Sequence, residues 1–263
     1  MSETRPQKPA TAPAGRVGLL ATCLIDTFRP AAGLASARLL EQAGYDVSVP
    51  EQGCCGQPNF NGGDKNGARK MALRTINVFA GYDYVVVPSA SCAAMLRVHY
   101  PELFAADSDE RAQAEALARR TWELTEFLHD VAGVNNLPAE FRANIAVHDS
   151  CSALRELGVR EQPRALLAQV KGCKEQPLAN PDVCCGFGGL FCIKYPDISN
   201  RMAQKKIADL LTTKEPVDAL VSTDLGCLLH LAGKLHRDGT PMDVWHIAEV
   251  LDGQASLVKG ESR

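Results

Sequence analysis

The sequence predicts an α/β fold of two Rossmann-like parallel-sheet halves related by internal duplication. Three observations carry this. A set of cysteine landmarks occurs twice, as Cys23, Cys54-Cys55-Gly56 and Cys92, and again as Cys151, Cys184-Cys185-Gly186 and Cys227. The gaps within the sets are 31 and 37 positions in the first and 33 and 42 in the second, and the sets are offset by 128 to 135 residues. Short apolar runs of strand type alternate with longer segments of helical period, which implies parallel strands with helices on the sheet faces.

Taken in order, "RVGLLAT" (16–22) is a buried-strand candidate directly before Cys23. "PAAGLASARLLEQAGY" (30–45) reads as a helix ending near Gly44, with Leu34, Leu39 and Leu40 on its apolar side. After a short strand, the CCG triplet and a further helix, "YDYVVVPS" (82–89) is a strand leading into Cys92. Residues 105–133 read as a helical insert joining the halves. The second half then repeats the plan, with "ANIAVHDS" (143–150) as a strand before Cys151 and "EQPRALLAQVKG" (161–172) as a helix stopped by Gly172. "VDALVSTD" (217–224) is the strand before Cys227, and "DVWHIAEVLDG" (243–253) reads as a closing helix. The expected organisation is a disordered tail over 1–15, a first unit over 16–104, a helical connector over 105–142, a second unit with closing helix over 143–253, and a C-terminal tail over 254–263.

Composition narrows the function classes. The net charge of −3 gives no basic field for nucleic acid. Apolar runs such as "VGLLATCLI" (17–25) are too short to span a bilayer, so no transmembrane segment is expected. The start "MSETRPQKPATAPAG" has no apolar stretch of the secretory type. Ten cysteines in such a chain point to a cytoplasmic, reducing environment, where clustered cysteines serve as metal ligands or reactive thiols rather than disulfides.

In a parallel sheet, ligands sit beyond the carboxyl ends of the strands. All eight repeated cysteines follow strands or lie in the loops between them, so each half gathers four thiols at one sheet edge. The chain contains no C-x-x-C, which argues against zinc ribbons, thioredoxin-type sites and ferredoxin-type loops. Neighbouring side chains on an extended backbone point to opposite sides. A vicinal pair therefore suits a polynuclear ligand better than a single ion. A following glycine lets the backbone take conformations closed to other residues and approach that ligand. Iron–sulfur clusters meet these demands. Cys92 and Cys227 lie where a strand hands over to a helix, a place that favours anions and lowers thiol pKa values.

The stretches "TCLIDTFRPAAGLASARLLEQAGYDVSVPEQGCCGQPNFNGGD" (22–64), "VVPSASCAAMLR" (86–97), "HDSCSALRELGVREQPRALL" (148–167), "CCGFGGLFCIKYPDIS" (184–199) and "STDLGCLLH" (222–230) resemble the cysteine-rich CCG domain family. That family is found in one of the subunits of heterodisulfide reductase and in the iron–sulfur subunit of glycolate oxidase. The closer resemblance is to its lactate utilization protein A members, and it runs from residue 16 to about 250. It implies tandem CCG domains, with Cys23, Cys54, Cys55 and Cys92 holding one 4Fe–4S cluster and Cys151, Cys184, Cys185 and Cys227 another. It also implies electron transfer in the oxidation of L-lactate to pyruvate, by a subunit active together with other iron–sulfur subunits, with L-lactate as a candidate ligand at a shared site. Relatives of the heterodisulfide reductase type carry a fifth cysteine three positions before the last. Here Ser89 and Asp224 stand there, so each half keeps four thiols, with these two as candidate oxygen ligands.

The alternatives are a subunit of a glycolate oxidase or heterodisulfide reductase-like complex and, in another class, a structural zinc protein. Cys173 and Cys192 have no first-half counterparts and read as extra core or loop thiols, Cys192 being the better candidate for an auxiliary ligand. His148, three before Cys151, and His230, three after Cys227, are candidate ligands or hydrogen-bonding partners of a metal centre, with Leu20 and Met95 at the matching first-half positions. A surface or hydrogen-bonding role is favoured for both. "NGGD" (61–64) and "GFGG" (186–189) fit no phosphate-loop pattern and read as turns. Arg97, Arg155 and Lys194 read as solvated charges that could also pair with a substrate carboxylate.

Overall fold

The computed structural model describes residues 14–240 and 242–257. Most of the two expected tails, 1–13 and 258–263, lies outside the described residues.

Among the described residues eight strands form two four-stranded sheets, parallel throughout. The first sheet contains β1 (Arg16–Leu19), β2 (Asp46–Ser48), β3 (Tyr84–Val87) and β4 (Thr121–Glu123), in the order β2-β1-β3-β4. The second contains β5 (Glu140–His148), β6 (Lys171–Glu175), β7 (Ala219–Ser222) and β8 (Asp243–His246), in the equivalent order β6-β5-β7-β8. Both faces of each sheet are covered, which explains why the central strands are apolar without alternation. Val85, Val86 and Val87 of β3 and Ala219, Leu220 and Val221 of β7 are all fully buried.

In each sheet the chain leaves the first strand toward one side and the third strand toward the other. Loops after those two strands therefore diverge and open a crevice at their carboxyl ends. Cys23 and Cys92 follow β1 and β3, and Cys151 and Cys227 follow β5 and β7.

Four expectations are corrected. The connector over 105–142 is not purely helical, because it carries β4, the fourth strand of the first sheet. The segment 243–253 opens as strand β8, and only Ile247–Leu251 is helical. These edge strands are three and four residues long, too short to show a period. Each runs straight into a helix closed by a capping box, Glu123 with Glu126 and His246 with Glu249. The third correction concerns the helix expected over 161–172, which spans only Glu161–Leu167. Gly172 lies inside β6 with φ of +81° instead of ending that helix. Finally, Leu34 on the helix Pro30–Gln42 points to solvent, 60% exposed, while Leu39 and Leu40 are buried.

The halves exchange helices across a pseudo-two-fold. The helix Pro30–Gln42 of the first half packs on Ile247–Leu251 of the second, and Glu161–Leu167 of the second packs on Leu124–Glu126 of the first. One core joins them, from Leu39 and Phe127 to Phe141, Leu166 and Leu251. Two arginines brace the edge-strand segments, Arg29 across the two halves and Arg97 within the first. Arg29 pairs with Glu249 at 2.8 Å and lies over the Trp245 ring, and Arg97 pairs with Glu126 at 2.6 Å and lies over Trp122. Among the described residues no helix is long and apolar enough to cross a membrane.

Candidate metal centre

The pseudo-two-fold turns the crevices of the two sheets toward each other. All eight repeated cysteines line a single cavity of about 260 Å³ between the halves. Cys55, Cys92, Cys185 and Cys227 are buried, Cys54, Cys151 and Cys184 are half-buried, and Cys23 is exposed. All ten cysteines are free thiols.

Each vicinal pair divides its sulfurs between two partners. Cys54 Sγ lies 3.9 Å from Cys23 Sγ, and Cys55 Sγ lies 3.3 Å from Cys92 Sγ. In the second half the Cys185 and Cys227 sulfurs lie within 4.8 Å of each other, and Cys184 interacts with Cys151. The glycine of each triplet has a positive φ, +85° at Gly56 and +91° at Gly186, and donates its N–H to the first sulfur of its pair at 3.4 Å. A side chain at Gly186 would stand 2.6 Å from the Ser199 carbonyl oxygen, so only glycine fits there.

The electrostatics single out one thiol per half. Hydrogen bonds from Cys23 and Cys55 hold Cys54 well below the usual thiol range, and bonds from Cys151 and Cys185 do the same for Cys184, against the opposing effect of burial. The donating partners Cys23 and Cys151 are pushed up in turn, first by those hydrogen bonds and then by burial. A site with a ready thiolate beside several thiols is suited to metal capture, since thiolate is the ligand form.

Ser89 and Asp224, the two candidate oxygen ligands, meet in the cavity lining. Asp224 Oδ2 accepts from the Ser89 hydroxyl at 3.3 Å and from Ser91 N–H at 3.0 Å. Its Oδ1 accepts from Gly226 N–H at 3.2 Å. One buried carboxylate thereby ties together the starts of the helices bearing Cys92 and Cys227 (Ala90–Ala94 and Leu225–Arg237). At the rim, His99 of the first half bonds Glu156 of the second at 2.8 Å, and this bond raises the His99 pKa. Neither contact was foreseen, because each joins residues more than 50 positions apart.

The remaining candidates divide clearly. Both ring nitrogens of His148 are buried without partners beside Cys185 and Cys227. His230 is instead half-buried and bonded to Ser199 at 3.2 Å, outside the cavity lining. Cys192 bonds the Gly189 carbonyl at 3.1 Å and also lies outside that lining, and Cys173 sits on β6, its pKa pushed up to about 11 mainly by burial. Arg97 is taken up by Glu126, Arg155 by the Asp182 carbonyl at 3.3 Å, and Lys194 is exposed. Of "NGGD", Asn61 and Gly62 end the helix Gln57–Gly62, and only Gly63 and Asp64 form the turn, with Asp64 capping the helix Lys65–Val78. Sequence reasoning missed Lys206, fully buried behind the second triplet, where its ammonium donates to the carbonyls of Asn180 and Pro181. Its place on the helix Pro196–Leu211 could have been read from the apolar residues around it.

Fold and site define a class, that of tandem cysteine-rich domains. The profile of the cysteine-rich domain family (CCG) matches residues 17–97 and 145–232. Lactate utilization protein A of Shouchella clausii (strain KSM-K16) is 45% identical over 239 residues, which are 90% of this chain and 99% of that protein. The protein of the same name from Geobacillus sp. (strain WCH70) is 43% identical, over 91% of this chain and all of its own. The chain belongs to the lactate utilization protein A family of cysteine-rich domain proteins. A glutamate racemase structure from Bacillus anthracis aligns with a TM-score of 0.35 and 13% identity, over 90% of this chain and 78% of that one, a level from which nothing carries over.

Proposed function

We propose that this chain is an iron–sulfur electron-transfer subunit acting in L-lactate oxidation to pyruvate, in the cytoplasm and together with other iron–sulfur subunits. The observation that carries the reading is the convergence of all eight repeated cysteines on one cavity between the halves. The donor set fits a polynuclear thiolate-bound group: each vicinal pair sends its sulfurs to different partners, and His148 presents orphaned ring nitrogens to the same space. Cys23, Cys54, Cys55 and Cys92 would hold one 4Fe–4S cluster, and Cys151, Cys184, Cys185 and Cys227 a second. When bound, each cluster supplies reversible one-electron storage. Lactate oxidation releases two electrons, and a centre in each half provides for both. The lactate role rests on the family, whose members share the name lactate utilization protein A.

The chain's own part is to hold and insulate. The helices bearing Cys92 and Cys227 are pinned to each other by Asp224, which fixes the two thiol sets at a constant separation. The apolar walls keep Cys55, Cys92, Cys185 and Cys227 out of water, while Cys23 stays at the surface.

The test is metal analysis of anaerobically purified protein. About four irons and four sulfides per half are expected, and Cys54→Ser and Cys184→Ser should each lose the cluster of their own half. Stoichiometric zinc without acid-labile sulfide would refute the reading in favour of a structural zinc protein. Full cluster content in both variants would refute the ligand assignment.

A further inference from the structure

The two halves match in fold but not in chemistry. His148 ends β5, three residues before Cys151, and Leu20 holds the matching place before Cys23. Both side chains are buried, at 1% exposure. Leucine is at home there. Histidine brings two polar ring nitrogens, and neither has a hydrogen-bond partner. Buried polar groups are nearly always satisfied, and an orphan calls for a cause. One ring nitrogen forms a group with Cys185 Sγ and Cys227 Sγ in which all atoms lie within 4.8 Å of one another. Other polar groups nearby are already committed: the Ser222 hydroxyl donates to the His148 carbonyl at 2.8 Å, and the Lys206 ammonium to Asn180 and Pro181.

We propose that His148 is a metal ligand, a nitrogen donor that joins Cys185 and Cys227 on the metal centre of the second half and takes one of its four terminal ligand positions in place of a thiolate. The first half, with Leu20 in that place, is then held by thiolates alone, and the two centres are unequal. Neutral imidazole is a common metal ligand, and it adds no negative charge where a thiolate would. This inference rests on the reading that the thiols hold iron–sulfur clusters.

The test uses the full chain, purified anaerobically with histidine-selective nitrogen-isotope labelling and then reduced. Electron–nuclear double resonance should show a directly bound histidine nitrogen in the wild type and none in His148→Leu. Absence of that coupling in the wild type, or its survival in the variant, overturns the inference. A second measurement reads the metal-free chain. Because the orphaned ring costs stability when no metal is present, His148→Leu should raise the thermal midpoint of the metal-free protein by about 2–4 °C. The same variant should lose second-half metal faster to a chelator. A lowered midpoint with unchanged metal retention assigns His148 a packing role only and overturns the inference. If the protein carries zinc without sulfide, the cluster reading fails by itself. Zinc-edge absorption then decides the ligand, with a mixed nitrogen–sulfur shell supporting His148 and an all-sulfur shell overturning it.

Discussion

The glycines that end the two CCG triplets look interchangeable in the sequence, yet the structure makes them unequal under the same substitution. At Gly186 an added Cβ would stand 2.6 Å from the Ser199 carbonyl oxygen and 2.9 Å from Met202 Cβ. At Gly56 the nearest atom is Met71 Cβ at 3.1 Å, followed by the flexible Met71 sulfur at 3.5 Å. Both positions have positive φ, so alanine at either carries backbone strain of about 1–3 kcal/mol. Only at Gly186 must backbone also move, because a main-chain oxygen blocks the new methyl and the Ser199 hydroxyl anchors the Gly186 carbonyl at 2.8 Å. Overpacking of this kind adds about 1–3 kcal/mol. Gly186→Ala should therefore cost about 2–6 kcal/mol and Gly56→Ala about 1–3 kcal/mol, against a total stability of about 5–15 kcal/mol for a folded protein. Urea denaturation of the reduced, metal-free protein reads the difference as a shift in midpoint at constant slope. Equal losses, or a larger loss at Gly56, would refute the argument that a rigid carbonyl rather than φ alone selects the second glycine.

Three further outcomes are expected. Asp224→Ala should destabilise by about 2–4 kcal/mol, since it strips a cap and an interhelical acceptor at once; a double-mutant cycle with Ser89→Ala should give a coupling near 1 kcal/mol, and strict additivity would show that the two residues do not interact. Glu123 is fully buried, and burial raises its pKa to about 7. Its folded form thus holds a proton that the unfolded form releases from about pH 4.5, so this group's contribution falls as pH rises from about 4.5 to 7, by up to about 3 kcal/mol. Glu123→Gln should flatten that loss when urea midpoints at pH 5 and pH 8 are compared, and an unchanged pH dependence would contradict the assignment. Lastly, peptide mapping after brief alkylation of the metal-free protein at pH 5 should find Cys54 and Cys184 labelled ahead of Cys23. The exposed Cys23 reacting first would show that exposure, not thiolate character, sets the order.

Much of this protein was legible in its residues. The doubled landmarks from Cys23 to Cys92 and from Cys151 to Cys227 carried the duplication, and the apolar runs before them carried the parallel sheets. Both signals are local: a buried parallel strand must be apolar, and a tight turn beside packed backbone must be glycine. The edge strands β4 and β8 escaped because three or four residues show no period, although "WELTEFL" (122–128) and "WHIAEVL" (245–251) echo each other. What only the tertiary structure decided is how the halves meet. Two separate pockets of four thiols were expected, but the exchange of helices across the pseudo-two-fold merges them into one cavity. The same docking sets Ser89 against Asp224 and His99 against Glu156, and folding of the second half buries His148 beside two sulfurs. Contacts of this kind depend on the relative placement of distant segments. No periodicity or spacing along the chain encodes that placement, because it is settled by how two apolar surfaces pack.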